Sequence, residues 1–305
     1  MFTKYTSVII PTRNRSNKVN KLLAYFIKNN LSFNQILIVD SSDNQKNSFK
    51  INDLKKLKAK VISSYPSASH QRNLGLAKVK KNSDLVLFLD DDIIFYNSSF
   101  KEMNKYINKI NNIDDIAGIA FNLITHSKEN LLLKRFKDLD LLKKFNIFSS
   151  LPGKVMQSGW HTKIENIKKD TYVQWLFSGA TIYKKKVIKH RKFNETLGAY
   201  SYLEDLFFSY GIYRDGYKLL VTKNAKFKNP NFVERSNFKF GIKEITNRYK
   251  FVRKFRLNFL LFFLLSFLRF SLSFVQIFKL KLNYLLRSLG NVCALLQIIF
   301  KKNER

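Results

Sequence analysis

The chain has 305 residues, with 55 Lys+Arg against 22 Asp+Glu for a formal net charge of +33, and it is 45% hydrophobic with 29 Phe and 14 Tyr. So much buriable surface excludes a disordered tail, and the length suits one large domain or two. A single cysteine, Cys293, excludes an intramolecular disulfide framework, and with four scattered His it excludes a Cys/His zinc cage, so a reducing compartment is expected. Lysine supplies 42 of the 55 cations. Base reading favours Arg, so no nucleic-acid partner is expected.

Ser7 to Ile10 (SVII) predicts a first strand, broken at Pro11. No leader is expected before it, because Tyr5 to Ile10 already reads as strand. Ser16 then caps a helix with Val19, Leu22, Leu23, Phe26 and Ile27 on one face. ILIV at 36–39 predicts a second strand ending at Asp40, Val61 and Ile62 a short third, and Ala68 to Val79 a helix. LVLFL at 85–89 predicts a central strand that runs into Asp90, Asp91 and Asp92. This alternation belongs to an α/β sheet with parallel strands. Ligands of such sheets sit outside the carboxyl ends of the strands, which gathers Asp40 and Asp90 to Asp92 at one crevice. Neither GxGxxG nor a P-loop is present, which removes most support for nicotinamide redox chemistry and P-loop phosphoryl transfer.

An amphipathic segment from Leu131 to Phe148 and a turn at Pro152 and Gly153 read as an acceptor-side insertion within 121–172. YVQWLFSGATIY, from Tyr172, is strand-like but interrupted by Ser178, Gly179 and Ala180, small residues that let a ligand or backbone approach. Leu203, Leu206, Phe207 and Tyr210 give an apolar face, so Glu204 and Asp205 are expected near the start of a helix. His70 and His161 have no partner at metal spacing and are not expected as ligands.

Residues 236–305 carry 14 Lys+Arg against two Glu and read as a separate, basic and apolar helical module after a first domain of 1–235. Leu257 to Phe278 is long enough to span a bilayer, with Arg269 near its middle. That Arg costs about 2.5–3.5 kcal/mol and each Leu, Phe, Val or Ile returns about 0.3–0.6, so hydropathy leaves both spanning and lying open. Ser266, Arg269, Ser273 and Gln276 recur on one helical stripe, which favours lying in the interface. Arg253, Lys254 and Arg256 before the segment, and Lys279, Lys281 and Arg287 after it, suit an anionic membrane surface. A second apolar segment runs from Leu289 to Phe300, and the competing reading is a helix pair that completes a soluble core or a dimer.

SVIIPTRNR at 7–15, ILIVDSSD at 36–43, HQRNLGLAKVKKNSDLVLFLDDD at 70–92, SGATIYKKKVI at 178–188 and YLEDLFFSYGIYRDGYKL at 202–219 together resemble glycosyltransferase family 2 over roughly residues 5–235. The resemblance implies a GT-A fold, a Rossmann-like mixed α/β sheet flanked by helices, followed here by amphipathic, membrane-associated C-terminal helices. It implies inverting transfer from a nucleotide-diphosphate sugar donor to a glycan or lipid-linked acceptor in cell-surface polysaccharide assembly, at the cytoplasmic face of a bacterial cell membrane. Pro11, Thr12, Arg13, Arg72 and Asn73 would then frame the donor nucleotide, and Asp40 would contact its base. Asp90, Asp91 and Asp92 resemble the DXD element, with Asp92 on a divalent cation (Mn²⁺ or Mg²⁺) and Asp90 on ribose or metal-bound water. Asp205 resembles the catalytic base with Glu204 in support, and Trp175, Gly179 and Ala180 would line the sugar. NAKFKNPNF at 224–232 lacks the His that completes the metal site in many GT-A enzymes; Lys228 is expected near that position, on the diphosphate. The alternatives are a nucleotidyltransferase with a similar sheet and a non-catalytic basic nucleic-acid-binding protein.

Overall fold

The structure, a computed structural model, describes residues 1–43, 49–110, 113–125, 149–230, 236–275 and 282–303. The described residues of 1–127 and 163–231 form one compact unit, and those of 128–162 and 232–305 form a second. Residues 149–162 therefore cluster with the C-terminal helices. The amphipathic segment expected over Leu131 to Phe148 lies outside the described residues.

In the first unit, β1 (Thr6–Thr12), β2 (Gln35–Asp40) and β4 (Leu85–Leu89) are aliphatic strands buried on both faces. β3 (Ala59–Ser63) is a half-exposed edge strand. These four run parallel, with β1 between β2 and β4 and β3 outside β2. The rest is mixed: β8 (Ala180–Lys184) runs antiparallel to β4 and to β6 (Ile116–Leu123), and β6 lies parallel to β9 (Lys218–Lys228). The short β5 (Ile94–Phe95) and β7 (Thr171–Val173) both pair antiparallel with β9. The interrupted strand-like stretch read from Tyr172 is two strands on different partners, and residues 174–179 cross between them.

Alternation along β4 sorts the two layers. Leu85, Leu87 and Leu89 enter the larger core with Phe26 of α1 (Ser16–Lys28) and Phe100 of α4 (Ser99–Ile110). Phe88 points the other way, 5.2 Å from Phe193 and 6.2 Å from Phe208, whose rings stack on each other at 4.0 Å. Phe208 belongs to α6 (Glu204–Arg214), so this aromatic stack seats α6 against the sheet. The remaining helices of the unit are α2 (Ile51–Leu57), α3 (Ala68–Ala77) and the single turn α5 (Lys185–Ile188).

The second unit packs α7 (Phe238–Lys254), α8 (Phe259–Val275) and α9 (Leu282–Asn303) around Ile245, Val252, Phe262, Ala294, Leu295 and Ile298. Asn237 caps α7 by accepting from the Phe240 amide at 2.8 Å. Backbones of α7 and α9 touch at Gly241 and Gly290, where any Cβ would strike Arg287 O and Phe238 O respectively. Beside this crossing, Arg287 donates to both oxygens of the buried Glu244 at 2.9 and 2.8 Å. Arg248 lies 3.8 Å over the Trp160 ring and donates to Gly159 O, which ties 149–162 to α7. The expected polar stripe starts inward, because Ser266 is fully buried; the side chains of Arg269 and Ser273, and Gln276 altogether, lie outside the described residues.

Candidate active site

Parallel pairing puts the carboxyl ends of β1, β2 and β4 at one edge, with Thr12 in register with Asp40. Gln71 of α3 binds that edge from behind, donating to Thr12 O at 2.9 Å and Val39 O at 2.7 Å. Asp40 Oδ1 accepts from the Ser42 amide and hydroxyl at 3.0 and 2.5 Å, so a local Asx turn orients the carboxylate.

The three acidic residues after β4 take three directions. Asp90 reaches into the crevice with 41% of its side chain exposed and is fixed by Arg72 Nη2 at 2.8 Å. Asp91 turns inward, accepting from Thr12 Oγ1 at 2.6 Å and Arg15 Nη1 at 3.1 Å. Burial pushes its carboxyl up, and the Thr12 hydrogen bond and Arg15 oppose this. Asp91 is therefore a brace under β1. Asp92 accepts from Arg15 at 3.3 Å and Asn229 at 3.1 Å, with Lys18 Nζ at 3.8 Å.

Arg72 gathers the site. Its side chain is only 5% exposed, and the other prong of its guanidinium donates to Glu204. Glu204 also accepts from Ser69 Oγ at 2.9 Å. Burial pushes both Glu204 and Asp90 up, and Arg72 pulls both down. Asp205, next to Glu204 on the first turn of α6, accepts from the Leu206 amide at 2.8 Å through Oδ1. Its pKa is pushed up to about 7, first by burial and then by the Glu204 charge. The chain enters this turn through Leu203 at φ 74, a left-handed conformation that costs a branched side chain about 1–3 kcal/mol and is a frequent mark of functional sites.

β8 brings up the last wall. Leu89 is in register with Ala180, and the Asp90 amide donates to Gly179 O at 2.9 Å. A Cβ on Gly179 would lie 2.6 Å from Asp90 Oδ2. Gly179→Ala is expected to displace that carboxylate and lower turnover at least about tenfold, with Tm nearly unchanged because a flexible side chain yields; comparing kcat with the melting curve checks it. Trp175 is buried, and the neighbouring Leu176 amide donates to Ser209 Oγ of α6 at 2.9 Å.

Other expected donor residues are engaged elsewhere. Arg13 turns outward to Asp43 at 2.8 Å, and Asn73 spends its amide on Phe193 O at 2.9 Å and Glu195 at 2.7 Å. His70 stacks on Tyr65 at 3.9 Å and meets Glu195 at 3.1 Å. Lys228 is an exposed strand residue paired with Ile94; its neighbour Asn229 is the one that reaches Asp92. Sequence reasoning missed Arg15, Lys18, Ser69, Gln71 and Asn229. The i, i+3 spacing of Arg15 and Lys18 behind a strand that ends at the crevice was the available signal.

Among the described residues no three His, Cys, Asp or Glu side chains converge as a metal cage. The donor set is nonetheless hard oxygen at the crevice, Asp90 and Asp92, and Mg²⁺-type sites commonly combine one or two carboxylates with substrate phosphates.

The chain is similar to solved structures of this architecture. GalNAc-T7, crystallised with UDP, GalNAc and Mn²⁺, aligns at TM-score 0.55 and 14% identity over 74% of this chain and 44% of its own. S. aureus TarS 1-349 in complex with UDP aligns at TM-score 0.51 and 17% identity over 79% of this chain and 64% of its own. The chain thus spans less than two thirds of either, and at these identities the likeness is one of fold, GT-A. No curated protein sequence matches. The family model described as Glycosyl transferase family 2 matches residues 7–189, from β1 through β8 and α5, ending before Glu204. That is more than half of the 305 residues, and the chain belongs to glycosyl transferase family 2.

Proposed function

We propose that the protein is an inverting glycosyltransferase that moves a sugar from a nucleotide-diphosphate sugar to a hydroxyl of a glycan or lipid-linked acceptor in cell-surface polysaccharide assembly. The observation that carries this reading is the Arg72 fork: one guanidinium holds Asp90 at the strand ends and Glu204 beside Asp205. The fork thus supports a reading in which a donor-side carboxylate and the neighbour of a candidate base are held by one guanidinium.

In this reading Asp205 takes the acceptor's proton. Leu206 N–H already occupies Oδ1, so Oδ2 receives it. The acceptor oxygen attacks the anomeric carbon from the face opposite the nucleotide, the bond from that carbon to the diphosphate oxygen breaks, and the electron pair leaves with the nucleoside diphosphate. One displacement inverts the anomeric centre. Asp92 and Asp90 would hold a divalent cation, Mn²⁺ or Mg²⁺, which neutralises charge on the departing diphosphate. Arg15 and Lys18, now on Asp92, would pass to the phosphate oxygens as the donor enters. Asp40 would accept from the base, and the small Gly179 and Ala180 would make room for the sugar.

The test is hydrolysis of UDP, GDP, dTDP and CMP sugars by the purified protein, with and without Mn²⁺ or Mg²⁺. Release of one nucleotide, at least about 10²-fold slower without metal and in Asp92→Ala, is the expected result. Absence of both turnover and donor binding across the panel would remove the proposal.

A further inference from the structure

We propose that the outer face of α8, with the cations at the end of α7 and just after it, docks on an anionic lipid bilayer. α8 is apolar where it should be polar. Phe262, Leu265 and Ser266 face the helical core, whereas Leu260, Leu264 and Phe267, at i, i+4 and i+7, stand outward with 68%, 56% and 64% exposure. A lone exposed Leu is ordinary; an aligned row of three on one helix marks a surface that expects apolar company. α9 adds exposed Leu289, Leu296, Ile299 and Phe300.

Charge identifies the occupant. Arg253 and Lys254 in the last turn of α7, and Arg256 just after it, are exposed. Among the described residues of the C-terminal helices Glu244 is the one carboxylate, and it is buried against Arg287. The outer surface therefore meets a partner with cations alone, which suits anionic headgroups beside acyl chains. A second copy would set like charge against like. Among the described residues no helix is long and apolar enough to cross a membrane.

The experiment is co-sedimentation of the full chain with phosphatidylcholine vesicles, with and without phosphatidylglycerol, beside light scattering without lipid. Binding should require phosphatidylglycerol and weaken with salt. Leu260→Glu/Leu264→Glu/Phe267→Glu should lose at least about 10²-fold in partitioning. Arg253→Glu/Lys254→Glu should lose at least about 20-fold. All five positions are exposed, and circular dichroism verifies folding. Equal binding by the apolar triple variant, no binding by the wild type, or a lipid-free dimer that the triple variant dissolves would each overturn the proposal. The proposal is independent of the transferase reading, since donor hydrolysis is measured separately on the same variants.

Discussion

Asp205→Asn is expected to slow sugar transfer by about 10²- to 10⁴-fold while donor binding stays near wild type, because the amide keeps the shape of the site and removes the proton acceptor. The wild-type pH profile carries a second signature. Asp205 sits at about 7, so kcat/KM should rise with pH up to about 7 and then level off; the variant's residual rate should lose that limb. Stability runs in the opposite direction. The folded chain holds a proton on Asp205 that the unfolded chain releases near the ordinary carboxylate value, so this group's contribution is present at low pH and lost as pH rises through about 7. Above that pH the Asn variant should melt no lower than the wild type. Wild-type rates in Asp205→Asn, or a profile flat over about 1.5 pH units either side of that value, would remove Asp205 from the proton transfer.

Arg72→Met should cost both stability and activity. The guanidinium is buried between Asp90 and Glu204, so its loss leaves the largely buried Glu204 carboxylate without its countercharge, near the half-exposed Asp90 and next to Asp205. Removing one partner of a buried ion pair typically costs about 3–5 kcal/mol. In a chain of this size that corresponds to a fall in Tm on the order of 10 °C. Turnover should drop by at least about 10²-fold, since Asp90 and α6 both lose their common tether. Arg72→Lys should recover part of the stability but not the geometry, because an ammonium cannot fork to two carboxylates. Arg72→Met/Glu204→Gln should melt above Arg72→Met, since one uncompensated charge is gone. A double variant no more stable than the single would show that charge burial is not the cause.

The pieces that read clearly in the sequence share a local origin. SVII, ILIV and LVLFL become β1, β2 and β4 because continuous β-branched and aliphatic runs must bury both faces. Asp40 and Asp90 lie at one edge because parallel strands share a carboxyl end, and Glu204 opens α6 where the carboxylate pair precedes an apolar face. β9 was illegible: KLLVTKNAKFK mixes Lys into a strand that is buried only in part.

What chain order alone determined is therefore the strands, their acidic ends and the first turn of α6, features set by hydrophobic periodicity over a few residues. Tertiary structure decided which polar atoms meet. Asp91 turns under β1 to Thr12 while Asp90 pairs with Arg72, Arg13 swings out to Asp43, and Asn229 reaches Asp92 from 137 residues away. Ser266, read as the start of a surface stripe, is inside, and Leu260, Leu264 and Phe267 are outside. Periodicity assigns side chains to faces, but a polar side chain's partner depends on atoms that only the packed sheet and helices bring within hydrogen-bonding distance.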